Sequence, residues 1–202
     1  MRYAATVLLS GGLDSVAALH WAIGRHRRVD ALTFDYGQAN RDAEVAAAGR
    51  VARRREVPHT IAVVGHAVRG DRTLAKPSAG IDGAGVSLAN LAARNAVLIS
   101  IAARHAAERY PGHRLEIVIG CNADDAERFP DCRPAFIDAA TAMVSAALAG
   151  VVESVAVVAP WLYARKAGIV RWAGDREDVL DDIRDSVSCY GGDDCGTCDA
   201  CT

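Results

Sequence analysis

The chain has 202 residues, 51% hydrophobic but only 5% aromatic, with a formal net charge of −2, which suits one well-buried domain plus a small appendage. A near-neutral balance with no long basic tract argues against a nucleic-acid partner, and "RHRR" (25–28) and "RRRE" (53–56) read as solvated helix ends. No apolar stretch approaches the roughly 18 residues of a membrane span, and no apolar leader with a cleavage site opens the chain, so a cytoplasmic location with reduced thiols and no membrane partner is expected.

In chain order, "YAATVLLS" (3–10) reads as a buried strand and "DSVAALHWAIG" (14–24) as a helix closing on Gly24. "VDALTFDYG" (29–37) is a second strand, 39–56 a second helix with apolar residues at three- and four-residue spacings, and "HTIAVV" (59–64) a third strand. The glycine-rich stretch 65–87 interrupts the pattern; a loop near 20 residues long is usually functional or disordered, and this one is expected to close over a ligand. A long apolar helix (87–110), a strand (114–120), a helix (134–150), a strand (152–160) and two short helices (165–174 and 176–184) complete the order. Continuous apolar strands alternating with helices predict a doubly wound, five-stranded parallel sheet with helices on both faces. That α/β domain would span 1–185, with a cysteine-rich tail (186–202) packed on it.

The first strand runs into "LSGGLDS" (9–15), poor in packing atoms. Glycines let a ligand approach backbone N–H groups, and such a turn at a helix start makes an anion site. Leu9, Ser10, Gly11, Gly12, Leu13, Asp14 and Ser15 are therefore candidate binders of a nucleotide phosphate. Asp14, a carboxylate beside that phosphate, suggests an intervening Mg2+. No Gly-Lys-Ser/Thr follows, and the dinucleotide glycine pattern is absent.

The tail carries Cys189, Cys195, Cys198 and Cys201 in C-x5-C-x2-C-x2-C spacing. Four thiolates suit a closed tetrahedral, structural Zn2+ site. An iron–sulfur cluster or a redox pair are the alternatives, and no redox-cofactor motif accompanies them. Cys121 and Cys132 read first as small buried residues, although Cys132 lies between two charged candidates. The six histidines show no pair at ligand spacing.

"SGGLDS" resembles the pyrophosphate loop of the ATP-pyrophosphatase (PP-loop) family, which cleaves ATP between the α and β phosphates. Within it, "TFDYGQ" (33–38), "ARN" (93–95), "GCNADDAERFPDCRPAF" (120–136), "RKAGIV" (165–170) and the four-cysteine tail resemble the 7-cyano-7-deazaguanine synthase family in order along nearly the whole chain. Departures fall at Ala39 and Asn40, at Glu127 and Arg128, and at Gly168. The resemblance implies neighbouring first and fourth strands, with the two turns that follow them facing each other. It also implies an ATP-dependent C–N ligase that turns 7-carboxy-7-deazaguanine and ammonia into the nitrile through adenylylated acid and amide intermediates. AMP and pyrophosphate, or phosphate, would be released. Asp14, Lys166 and Arg133 would be catalytic, and Arg94, Asn95, Asp131 and Arg133 would hold the ring acid. ATP, Mg2+ and Zn2+ would be the cofactors and a homodimer the working unit. Two relatives of that reading stay open: a ligase adenylylating another carboxylate, and a sulfur-transferring enzyme acting on transfer RNA.

Overall fold

The structure, a computed structural model, describes residues 3–38, 40–65 and 93–189. Strands β1 (Tyr3–Leu8), β2 (Val29–Asp35), β3 (His59–Val63), β4 (Arg114–Val118) and β5 (Ser154–Val158) form one parallel sheet in the order β3-β2-β1-β4-β5. Val7 pairs with Ala31 on one side and Val118 on the other, so β1 and β4 are neighbours, as expected. Between them lies the switch point, where the chain winds away in both directions and a crevice opens beyond the strand ends.

The helices are α1 (Leu13–Ile23), α2 (Arg41–Arg54), α3 (Arg94–Arg109), α4 (Ala123–Arg128), α5 (Pro134–Ala147), α6 (Lys166–Gly174) and α7 (Glu177–Arg184). Period-two alternation along β1 divides the core. Ala4 and Leu8 join α3 and α5 on one face; Ala5, Val7 and Leu9 join α1, α2, α6 and α7 on the other. Alanines fill the helix–sheet contacts: Ala17, Ala18, Ala22, Ala48 and Ala102 are fully buried, letting helices approach closely around larger anchors such as Leu19, Ile99, Ile117 and Ile169. Truncating one such anchor to alanine typically costs about 2–5 kcal/mol.

Helix α7 is fixed through its fully buried Asp182, which accepts hydrogen bonds from Arg54, from Arg55 Nε (2.6 Å) and from His20 Nε2 (2.8 Å). Burial pushes this carboxyl up, but the Arg55 and His20 hydrogen bonds outweigh it and leave it below its ordinary value.

Two expectations are corrected. The helix read over 87–110 starts, in the described chain, at Arg94, because Ala93 takes φ +59° at its N-cap and a left-handed alanine cannot continue a right-handed helix. The stretch 120–136, left without an element between the fourth strand and the helix read over 134–150, holds α4 and a 3-10 turn, Pro130–Cys132. Residues 66–87 of the glycine-rich stretch, Ala39, and Cys195, Cys198 and Cys201 lie outside the described residues.

Candidate active site

A cleft of about 540 Å³ opens at the switch point. Its floor is the loop between β1 and α1. Gly11 has φ +85°, and a Cβ there would stand 2.6 Å from the Glu44 carbonyl and 2.9 Å from Ala48 N, so the turn is pressed against α2. Gly120, leaving β4, closes from the other side: its Cβ would lie 2.8 Å from Ser15 N. Only glycine permits both approaches.

Hydroxyls occupy donors of this loop. Ser10 N–H donates to Ser15 Oγ (3.2 Å), Gly12 N–H to Ser10 Oγ (3.3 Å) and Leu13 N–H to Ser188 Oγ (3.3 Å). These are long, weak bonds, with each oxygen standing where an anion's oxygen could replace it. Ser188 arrives because Val187 N–H donates to the Gly11 carbonyl (2.9 Å), so the chain entering the tail rests on the loop. Cys189, buried, accepts at its carbonyl from Asn40 Nδ2 (3.0 Å).

The facing wall is α4. Asn122 Oδ1 accepts from Asp124 N–H (2.8 Å) and Asp125 N–H (3.0 Å), while Asp125 Oδ2 accepts from Asn122 N–H (3.1 Å), a reciprocal cap that starts a helix directly off a buried strand. Asp124 then receives Lys166 N–H (2.9 Å) and Arg165 Nη1 (2.6 Å), and Glu127 receives Arg165 Nη2 (2.8 Å). This ladder sets the start of α6, and Lys166 with it, at the cleft. Asp14, Asp124, Asp125 and Lys166 all line it. Burial pushes the Asp14 carboxyl up, with the Lys166 charge opposing. Burial, with Asp14 opposite, pushes Asp125 up to about 6.

The third wall comes from β2, α2 and α3. Glu44 accepts from Gln38 Nε2 (2.8 Å) and Asn40 Nδ2 (3.0 Å), and Arg94 Nη1 reaches the Tyr36 hydroxyl (3.5 Å). Burial raises both the Glu44 carboxyl and the Tyr36 hydroxyl. Leu8, Leu32, Phe34, Leu98 and Ile119 supply apolar lining, so the cleft combines charged groups with apolar side chains against which a ring can pack.

Of the residues expected at the site, Leu9, Ser10, Gly12, Asp14, Ser15, Arg94, Asn95 and Lys166 line the cleft. Gly11 and Leu13 shape the loop from behind it. Asp131 is buried outside the lining; its carboxylate accepts Asn95 N–H (3.0 Å) and its carbonyl accepts Asn95 Nδ2 (3.0 Å). It therefore holds the start of α3. Arg133 is exposed, its Nε donates to the Ala126 carbonyl (3.0 Å), and it lies outside the lining. Among the described residues, the guanidinium groups at the cleft are those of Arg94, Arg128 and Arg165. Tyr36, Gln38, Glu44, Asn122, Asp124, Asp125 and Ser188 were absent from the expected set. The Asn-x-x-Asp spacing of 122–125 is a helix-start signal that could have brought in Asn122 and Asp125; Ser188 had no local signal.

The Asp14 Oδ1 atom is buried with no hydrogen-bond partner among the described residues. An orphaned carboxylate oxygen in a cleft that Asp125 also lines fits a hard divalent cation, which takes oxygen ligands. No group of three metal-ligating side chains occurs among the described residues, so Mg2+ here would draw its remaining ligands from phosphate and water. Thiolates such as Cys189 fit Zn2+, but its three proposed companions lie outside the described residues.

A glycine loop at a switch point, backed by two close-approach glycines and faced by a lysine and carboxylates, defines an α/β protein of the PP-loop kind. Solved structures of that architecture are similar to it. NMN synthetase from Francisella tularensis has a TM-score of 0.57 at 15% identity, over 98% of this chain and 70% of that one. NH3-dependent NAD synthetase from Campylobacter jejuni has a TM-score of 0.54 at 13% identity, over 90% and 67%. A family model described as queuosine biosynthesis protein QueC matches residues 4–202. The 7-cyano-7-deazaguanine synthase of Aromatoleum aromaticum is 40% identical over 98% of this chain and 89% of that protein, and that of Ectopseudomonas mendocina 38% over 98% and 89%. The chain belongs to the QueC family.

Proposed function

We propose that this protein is a 7-cyano-7-deazaguanine synthase, an ATP-dependent C–N ligase that converts 7-carboxy-7-deazaguanine and ammonia into the nitrile. The observation that carries the reading is the loop 9–15 at the switch point with Lys166 and Asp125 across from it, in a chain of this family. A carboxylate is inert to ammonia because oxide is a poor leaving group. Its oxygen attacks the α-phosphorus of ATP, pyrophosphate departs, and AMP becomes the leaving group. Ammonia then displaces AMP to give the amide. A second ATP adenylylates the amide oxygen, and loss of AMP leaves the carbon–nitrogen triple bond.

The residues divide this work. Ser10, Gly12 and Ser15, with the start of α1, receive the departing pyrophosphate, whose oxygens replace the serine hydroxyls on the loop N–H groups. Lys166 offsets charge on the phosphates as a point charge. Asp14 and Asp125 would hold Mg2+, which supplies further charge neutralisation at the phosphates. Arg94 is the candidate fork for the ring carboxylate, with Asn95 beside it. Zn2+ on Cys189, Cys195, Cys198 and Cys201 would fix the tail that delivers Ser188 to the loop. Ammonia as the nitrogen donor and a homodimer as the working unit rest on the family resemblance.

Incubating the protein with 7-carboxy-7-deazaguanine, ATP, Mg2+ and ammonium, with mass spectrometry of the products, tests the assignment. Nitrile appearing with two AMP per molecule is the expected result. AMP release only with a different acid, or an end product no further than the amide, would refute it.

A further inference from the structure

Two thiols that this reaction leaves idle meet in the wall of the cleft. Cys121 Sγ lies 3.2 Å from Cys132 Sγ, both residues are buried to within 5% exposure, and both line the cleft. A disulfide is about 2.05 Å long, so closing the pair takes a shift of little more than an ångström. The two partners differ in what holds them. Cys121 continues β4, which is bonded on both sides within the sheet. Cys132 ends the short 3-10 turn, held by its N–H to the Phe129 carbonyl (3.0 Å) and by Asn95 Nδ2 to its sulfur (3.4 Å). The movement therefore falls on the turn. That turn carries Asp131, which holds Asn95 at the start of α3 beside Arg94.

We propose that Cys121 and Cys132 form an oxidative modification site, in which hydrogen peroxide entering the cleft joins the two sulfurs as a disulfide and disables the site until a thiol reductant reopens it. In the first step the deprotonated sulfur of Cys132 attacks a peroxide oxygen, because the hydrogen bond to Cys132 and burial push the Cys121 thiol well above its ordinary value. The S–O bond forms, the O–O bond breaks, and the hydroxide released leaves as water with the proton that thiol lost. In the second step the other sulfur attacks the sulfenic sulfur. The S–S bond forms, the S–O bond breaks, and a second water leaves with the second thiol's proton. Two thiols lose two electrons and the peroxide gains them. A partner already in contact captures the sulfenic acid before it is oxidised further, which a solitary buried cysteine cannot do. Drawing the turn in by about 1 Å displaces Asn95 and Arg94, and a displacement of that size in a reacting geometry costs on the order of 100-fold in rate.

The reduced full-length protein is exposed to hydrogen peroxide, alkylated, digested and read by mass spectrometry, with its rate measured in parallel. The expected result is a peptide pair joined through Cys121 and Cys132, two hydrogens lighter than the reduced pair. Its yield should track a rate loss on the order of 100-fold in the joined fraction, and dithiothreitol should reverse both. In Cys121→Ser the joined pair is absent, the part of the rate loss that scales with it disappears, and Cys132 proceeds to sulfinic acid. Joining confined to the tail cysteines, or a Cys121–Cys132 pair whose formation leaves the rate unchanged, overturns the proposal. The joined peptide is read on the natural chain, so misfolding of the variant does not obscure it. The rate readout rests on the reaction proposed above and the peptide readout does not. A pair that forms in protein unable, when reduced, to convert the deazapurine acid therefore supports the site and counts against the reaction.

Discussion

Replacing Gly11 by alanine tests the loop where its geometry is most constrained. At φ +85° an alanine pays left-handed strain of about 1–2 kcal/mol. Its Cβ also meets the Glu44 carbonyl at 2.6 Å and Ala48 N at 2.9 Å, backbone atoms of a packed helix that cannot rotate aside; overpacking of that kind costs about 1–3 kcal/mol. The sum, about 2–5 kcal/mol, corresponds to a fall in melting temperature of about 4–20 °C for a domain of this size. Gly12→Ala is the contrast. Gly12 has φ −80°, and its Cβ would find Ser10 Oγ at 3.4 Å and Val187 O at 3.5 Å, ordinary contacts. That variant should melt with the natural protein and yet lose ATP turnover, because its methyl group faces the place reserved for phosphate. Thermal unfolding of the two variants, with and without ATP, separates the cases. A Gly11→Ala protein as stable as the natural one would show that the loop does not press on α2 as described.

Lys166→Ala should lower kcat about 100- to 1,000-fold, the usual cost of removing one charge-stabilising donor, with melting little changed; an unaltered steady-state rate would remove Lys166 from the chemistry. Arg94→Ala should raise KM for the ring acid while Arg133→Ala leaves it near the natural value, so a kinetic comparison of the pair checks which guanidinium serves the cleft. Asp182→Asn should destabilise by about 1–3 kcal/mol, less than a fully enclosed ion pair would, because both arginine heads reach solvent. The Asp182 carboxyl lies below its ordinary value of 3.8 when folded; its stabilisation is therefore present above that value and lost as pH falls through the lower, folded one. Melts taken down through that range should show an acid limb that Asp182→Asn flattens. Elemental analysis should find one Zn2+ per chain, lost in Cys189→Ser; metal-free natural protein with full activity would contradict the tail assignment.

The parts of the molecule legible in the sequence are those set by local chemistry. Strand and helix periodicities placed the five strands, and "SGGLDS" marked one side of the cleft, while the turn that faces it follows from the family resemblance. What stayed hidden depends on long-range packing. Arg133 sits in a motif rich in polar groups, and only the path of the 3-10 turn shows it directed to the Ala126 carbonyl. Asp131 reads in sequence as one of the residues around the ring acid, and only the structure shows that it also holds the N-terminus of α3, 36 residues earlier in the chain. Ser188 reaches the loop across a separation of 175 residues, which no spacing rule foresees. Helix α4 escaped notice because six residues are too few to display a period; its cap was the readable sign.

The central claim is that the loop receives pyrophosphate so that an acid oxygen attacks the α-phosphorus. The most direct measurement follows heavy oxygen from 7-carboxy-7-deazaguanine labelled in both carboxylate oxygens. Both labels should appear in AMP, one in each of the two molecules released per nitrile. Label recovered in orthophosphate, or AMP formed without it, would contradict attack at the α-phosphorus and with it the role assigned to the loop.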